Sequence, residues 1–271
     1  MRVGVVGAGG RMGREVCRTV LNHPDLDLVV ALDPFHNGTD LGTLIGADAG
    51  GLVVGDAIDS LTASGTEVVV EFTRLDAARE TLAYCAEAGI HAVVGTTGFT
   101  EADLEDLGRR FAGPASGAPN CIMAPNFAIG AVLMMRFAEM AAPWFDGAEI
   151  VEYHHDGKLD APSGTSLRTA ERMAAARTDA GTEAFAPDRT TTVVVDGARG
   201  AAGPAGVRIH SVRLSGLVAH QEVVLGGSGQ TLSIRHDSYD RISFMDGVVL
   251  AIVSVAGRPG LTLGLEPLLG L

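Results

Sequence analysis

An apolar run, RVGVV (2–6), leads into the glycine-rich stretch GAGGRMG (7–13). A segment with Met12, Val16, Val20 and Leu21 at helical spacing follows. A strand, a tight glycine turn and a helix, in that order, commit the start of the chain to a βα unit. The alternation then repeats. LDLVVALD (26–33), TEVVVEF (66–72), IHAVVGTTG (90–98) and CIMAPNF (121–127) have strand character, and 75–89 and 100–111 have helical character. Gly89 is placed to end the first of these helices, and Thr100 with Asp103 to cap the second. Strands alternating with helices predict a doubly wound parallel sheet of Rossmann type, an α/β fold.

The pattern changes after residue 127. The spacing predicts a helix over 128–142, a strand over 148–153 and a long helix over 163–178. From 191 onward strands follow without helices between them: TTVVVD, VRIHSVRL, VAHQEVVLG and QTLSIRH. This second part reads as an α+β unit with an antiparallel or mixed sheet. Ala/Gly-rich stretches at 174–186 and 197–206 read as loops. The segment 241–258 is helical in pattern and suited to pack back on the first unit.

Composition narrows the function. With 33 acidic and 20 basic residues the net charge is −13, which argues against nucleic acid or an anionic membrane as partner. No apolar run is long enough to span a bilayer. The three cysteines, Cys17, Cys85 and Cys121, are scattered and odd in number, and the first residues enter a strand rather than a signal peptide. A cytoplasmic protein is expected.

Backbone amides at the glycine turn, with the helix start behind it, suit a pyrophosphate. The glycines are Gly7, Gly9, Gly10 and Gly13, so the best register is G-x-x-G-x-x-G, with Met12 where the usual third glycine would fall. Asp33 ends the second strand about 20 residues on. An acid there accepts hydrogen bonds from the ribose hydroxyls of NADH and repels the 2′-phosphate of NADPH, so Asp33 favours NADH. Arg11 is the nearby base able to offset it, and both cofactors stay open. GTTG (95–98) and APNF (124–127) sit at the carboxyl ends of predicted parallel strands, the edge where such sheets bind ligands.

Residues 151–165, VEYHHDGKLDAPSGT, gather His154, His155 and Lys158 ahead of a helix that opens at Pro162-Ser163-Gly164-Thr165. A histidine can donate a proton near neutrality, a lysine can hold a carboxylate, and a helix start offers free amides. Together they suit a small carboxylate substrate that is protonated as it reacts. No HExxH, CxxC or GxSxG motif is present, so neither a metal site nor a serine nucleophile is expected. Cys121 after Asn120 leaves open a thiol-dependent semialdehyde dehydrogenase, and a non-catalytic nucleotide sensor is the other alternative.

The motifs VGAGGRMG, VVGTTGF, APNFAIGA, EYHHDGKLDAPSGT and HSVRLSGLVAHQEV, in this order, resemble those of the 4-hydroxy-tetrahydrodipicolinate reductases of the diaminopimelate–lysine pathway, also called dihydrodipicolinate reductases. The resemblance covers nearly the whole chain, and the H-H-x-x-K-x-D-A-P-S-G-T stretch is its most specific part. It implies a dinucleotide-binding domain of residues 1–127 completed by 240–271, and a substrate and oligomerisation domain of 128–239. It also implies a homotetramer built through the second domain's sheet. Carried over, it makes His154 the proton donor and Lys158 the assisting cation, also in contact with substrate. His155, Ser163, Gly164 and Thr165 become substrate contacts. Gly7, Ala8, Gly9, Gly10, Arg11 and Met12 become cofactor contacts, with Asp33, Gly95, Thr96, Thr97, Ala124, Pro125, Asn126 and Phe127. NADH or NADPH would deliver hydride to a small dicarboxylate. The resemblance extends no match to the loop at 34–58.

Overall fold

The first strand, β1 (Arg2–Val6), is buried at Val3, Gly4 and Val5 without alternation, as a strand covered on both faces must be. It lies between β2 (Asp27–Leu32) and β3 (Val68–Glu71) in a sheet that also includes β4 (His91–Val94) and β5 (Cys121–Met123). The connecting helices are α1 (Arg11–Asn22), α2 (Leu41–Ile45), α3 (Ser60–Ala63), α4 (Leu75–Ala88) and α5 (Glu101–Arg110). Gly89 closes α4 at φ 73°, and Thr100 and Asp103 form a capping box on α5. The computed structural model describes residues 1–271 and divides into two units: Met1–Ile129 with Arg241–Leu271, and Gly130–Asp240.

The chain leaves the first unit through α6 (Ile129–Ala141). It then forms β6 (Gly147–His154), α7 (Gly164–Asp179), β7 (Ala201–Ala202), β8 (Arg208–Arg213), β9 (Ala219–Gly227) and β10 (Gln230–Ser238). It returns with α8 (Met245–Val255), β11 (Leu261–Leu263) and α9 (Glu266–Leu269). The first sheet has the order β11-β5-β4-β3-β1-β2 with every pair parallel. The returning strand β11 escapes sequence reading: its three residues lie between Gly260 and Gly264 and are only partly buried or exposed, without the apolar run that marks the inner strands. Asn120, fully buried, secures the return: its Nδ2 donates to the Val255 and Ala256 carbonyls at 2.9 and 3.1 Å, and its Oδ1 accepts from the Gly260 amide at 3.1 Å.

The second sheet has the order β10-β9-β6-β8-β7 and is mixed, because β6 and β8 run parallel. Sequential strands after 191 therefore do not simply pair with one another: β6 sits between β8 and β9. The expected strand TTVVVD does not form. Val193, Val194 and Val195 are 55–88% exposed, and the edge beside β8 is taken by Ala201–Ala202, inside a stretch expected to be loop. A β-rich composition makes a strand only where a partner edge is free. The end of α7 likewise extends into the 174–186 stretch that reads as loop. The 34–58 segment, for which the sequence offered no match, contains α2, capped by Asp40 and closed by Gly46, and bridges Asp40 to Val53 and Leu32 to Gly55.

Candidate active site

In the first unit, the residues expected to hold a nucleotide collect along one edge of the sheet, after β1, β2, β4 and β5. The chain goes from β1 to neighbours on opposite sides, β2 and β3, so this edge holds the switch point at which such sheets bind ligands. Gly7 has φ 84°, and a Cβ on it would come within 2.5 Å of the Phe72 carbonyl. A Cβ on Gly13 would lie 2.0 Å from the Gly7 carbonyl oxygen. Gly13, not residue 12, is therefore the glycine that lets the helix press against the turn. The amides of Gly7 and Ala8 are spent on the Leu32 carbonyl, and that of Gly10 on Gly7. Gly10 caps α1 without a side chain, so the first amides of α1, from Arg11 on, have no side-chain acceptor. This glycine cradle and open helix start fit a dinucleotide diphosphate.

Asp33 is buried and already engaged. Its Oδ2 accepts from the Gly9 amide at 2.9 Å, and its Oδ1 from the Phe35 amide at 3.0 Å and from His36 Nδ1 at 3.0 Å. The His36 ring lies over Gly9, where a Cβ would meet Nδ1 at 2.1 Å. Arg14 donates to the Gly9 carbonyl at 2.8 Å and reaches His36 Nε2 at 3.3 Å. The bases around Asp33 are thus His36 and Arg14. Arg11, expected to be the one nearby, is exposed in the first turn of α1.

Between the predicted loops stands a strand end that sequence reading passed over. The ring of Phe72, after β3, lies where a Cβ on Gly95 would come within 1.9 Å, and its centroid is 5.7 Å from that of Phe127. Thr96 is buried and exchanges hydrogen bonds with the Thr73 backbone, whereas Thr97 is exposed. Ala124 donates to the Val94 carbonyl at 3.0 Å, and Asn126 accepts from the Ala128 amide at 2.9 Å beside the exposed Pro125. Glu71, fully buried under this edge, takes hydrogen bonds from the Thr73 amide and hydroxyl on one oxygen, and its other oxygen has no partner. Burial pushes its carboxyl above the usual range, and its threonine partners oppose this. Cys121 lies fully buried in β5, and burial, with Cys85 nearby, pushes its thiol far up. A nucleophilic thiolate is excluded there.

In the second unit, strand register builds the other candidate site. Ala148, Ile150, Glu152 and His154 share one face of β6. Alongside them, in register, are Ile209, Ser211 and Arg213 of β8 and Leu225, Val223 and Gln221 of β9. At the start of β6 this face is core: Ala148, Ile150, Ile209, Val223 and Leu225 pack with Ala170 and Met173 of α7. Toward the end of β6 the face turns polar, beside the start of α7. Glu152 is fully buried. It accepts both terminal nitrogens of Arg213 at 2.8 Å each, the Ser163 amide at 3.2 Å, and His154 Nδ1 at 2.5 Å.

Burial would raise the Glu152 carboxyl, but hydrogen bonds from Arg213, Ser211 and His154 outweigh it and hold the carboxyl below its usual range. An ionised acceptor requires the hydrogen on His154 Nδ1, which leaves Nε2 as the atom free to exchange a proton. Burial lowers His154 itself, against the opposing pull of Glu152 and with help from Lys158 and Arg213. Lys158 is held by Asp160 at 2.8 and 2.9 Å, and its amide closes a turn on the His155 carbonyl. Ser163 caps α7, accepting from the Ser166 amide at 3.2 Å, and Ser166, Gln221 and Thr169 continue that network. The amides of the exposed Gly164 and partly exposed Thr165 have no acceptor within the helix. His154, Lys158 and the α7 start are thus brought together. Glu152 and Arg213, which complete the cluster, carry a sequence signal only in hindsight: an acid and a base at positions whose strand parity is that of the core.

Residues 1–127 match the family profile described as dihydrodipicolinate reductase, N-terminus, and 130–269 match the C-terminus of the same family. The chain belongs to the dihydrodipicolinate reductase family. Relatives named 4-hydroxy-tetrahydrodipicolinate reductase include that of Nocardia farcinica, 50% identical over all of this chain and 99% of the relative. That of Mycobacterium marinum is 48% identical, with complete coverage of both chains. A dipicolinate-bound dihydrodipicolinate reductase from Paenisporosarcina sp. TG-14 superposes with a TM-score of 0.84 at 40% identity, covering 98% of each chain. An amine dehydrogenase from Mycobacterium smegmatis, 16% identical with a TM-score of 0.64, shares the fold. Membership of the dihydrodipicolinate reductase family makes the protein an NAD(P)H-dependent oxidoreductase with a Rossmann-type first unit. No helix is long and apolar enough to cross a membrane.

Proposed function

We propose that the protein reduces 4-hydroxy-tetrahydrodipicolinate to tetrahydrodipicolinate with loss of water, in diaminopimelate and lysine biosynthesis. The observation that carries this reading is the cluster of His154, Lys158 and the open Gly164 and Thr165 amides at the α7 start on one polar sheet end, in a chain whose relatives are named for that reaction. The roles of 1–127 with 240–271 as the nucleotide domain and 128–239 as the substrate domain are part of the same proposal.

A bound nicotinamide supplies hydride. The chain supplies the rest. Lys158 and the amides of Gly164 and Thr165 hold the substrate's carboxylates, with His155 beside them, and Lys158 exchanges Asp160 for a substrate oxygen as it does so. The hydroxyl leaves as water with a proton from the neighbouring ring carbon, which makes the ring conjugated. Hydride addition to that ring would leave an enamine or carbanion. His154 Nε2 protonates that carbon, and the imidazolium returns to neutral imidazole with its Nδ1 hydrogen still donated to Glu152. In the first unit, the Gly7–Gly13 turn with Ala8, Arg11 and Met12 receives the diphosphate and Asp33 the ribose. Residues 95–97 and 124–127 border the nicotinamide. Asp33 favours NADH, and His36 and Arg14 temper that preference. Assembly as a homotetramer through the second sheet is part of the proposal, supported by the partly exposed Val151 and Val224 on its other face. A cytoplasmic location goes with it.

The test is oxidation of NADH and NADPH at 340 nm with substrate made in situ from pyruvate and aspartate semialdehyde by a coupled synthase. Substrate-dependent oxidation that is lost in His154→Ala is expected. A folded, NADH-binding protein inert to this substrate, or a His154→Ala protein with full turnover, refutes the assignment.

A further inference from the structure

Glu152 is an expensive residue to keep where it is. A carboxylate with no exposure must be paired on all sides, and apolar residues of similar volume often serve stability better. Its same-face predecessors on β6, Ala148 and Ile150, are core residues. Packing therefore does not ask for an acid at 152. What the acid does contact is one oxygen's worth of His154 and both terminal nitrogens of Arg213, with the Ser163 amide completing the set. Three separate elements, β8, the α7 start and β6 itself, converge to hold a single charge against one imidazole.

We infer that Glu152 is the positioning residue of the proton donor: it fixes the His154 tautomer, aims Nε2 at the substrate and sustains the imidazolium that donates. The inference rests on the reading of His154 as donor. Of the charged groups facing the ring, Lys158 on the following loop and Arg213 on β8 disfavour its cation, and Glu152 on β6 favours it. Asp160 stands behind Lys158 and partly offsets it. Arg213 and the Ser163 amide have a second task. They keep Glu152 ionised, so that the proton stays on the ring and does not pass to the carboxylate. In the transfer, the Nε2–H bond breaks and a C–H bond forms. The bonding pair returns to Nε2, and the charge lost is that of the ring alone. Solvent then reprotonates Nε2.

The experiment compares kcat/KM against pH for the native enzyme, Glu152→Gln, Glu152→Asp and His154→Ala, and follows the His154 ring nitrogens by NMR. In Glu152→Gln, kcat at pH 7 is expected to fall about tenfold or more. The alkaline limb of kcat/KM should move about one unit toward acid, with the affinity for pyridine-2,6-dicarboxylate little changed. Glu152→Asp, which keeps the charge, should recover part of both rate and limb. A folded Glu152→Gln enzyme whose limb stays in place, or whose loss lies in KM alone, overturns the inference while leaving His154 as donor. Full activity in His154→Ala sinks the underlying reading instead. Should Glu152→Gln fail to fold, the native ring decides: hydrogen on Nδ1 in the neutral form supports the inference, and hydrogen on Nε2 overturns it.

Discussion

The amide of Gly9 donates to the Asp33 carboxylate at 2.9 Å, tying the turn proposed to receive the diphosphate to the residue proposed to meet the ribose. Because His36 occupies the other oxygen and touches Arg14, the field at this corner is a balance of one acid and two bases. Asp33→Ser should tighten NADPH relative to NADH by about tenfold. His36→Ala should shift the ratio the other way, since it removes a base from beside the acid. Nicotinamide fluorescence titrations of both variants read this directly; a ratio unmoved in both would mean that the corner does not select.

Gly13→Ala puts a Cβ 2.0 Å from the Gly7 carbonyl, and either α1 or the turn must shift. A weakening of NADH binding by about tenfold or more is expected, with a stability loss of about 1–3 kcal/mol. Isothermal titration and thermal melts separate the two.

The proposed donor must be protonated, so rate falls as pH rises through its pKa. Burial holds His154 below the ordinary histidine value of 6.5 in the free protein. The alkaline limb of kcat/KM should therefore lie on the acid side of that value. A bound dicarboxylate adds negative charge beside the ring, so the limb of kcat should lie at higher pH. Coincident limbs would count against a dicarboxylate seated next to His154.

Glu71 is raised by burial, so its folded pKa exceeds the unfolded one. Between the two, unfolding releases a proton and stability falls as pH rises; above both, the loss is complete. Glu71→Gln should match the native protein near pH 4 and be the more stable of the two at pH 8. Denaturant melts at the two pH values check this, and an advantage that does not grow with pH contradicts it.

Asn120→Ala strands two carbonyls and one amide at the junction with the returning segment. A loss of about 2 kcal/mol is expected. The change should appear as a lower thermal midpoint and faster hydrogen exchange in α8 and β11.

What the sequence disclosed follows from how local each signal is. The glycine turn, the Thr100 cap and the Gly89 stop are decided within a few residues, and the structure has them where spacing put them. The parallel sheet was legible because its strands are apolar on both faces. Partner choice was not legible: nothing inside TTVVVD reveals that Ala201–Ala202 will take the edge it needed, and nothing in β8 reveals that β6 will separate it from β9. The same limit governs the site. His154 and Lys158 announce themselves by chemistry in one loop. Arg213 reaches Glu152 only because β6 and β8 align His154 with Arg213 across 59 positions of chain, a relationship that exists in register and not in any local pattern.

The strand β11 lies against β5, although the whole of the second unit is synthesised between them. On the ribosome, Gly130–Asp240 emerges as one uninterrupted stretch, while the first sheet waits with the edge of β5 unpaired until Leu261–Leu263 appears. An open parallel edge is a template for wrong partners. The nascent chain thus carries an open sheet edge while more than a hundred residues are made, and cellular yield should respond to chaperone supply and to translation speed through codons 241–263.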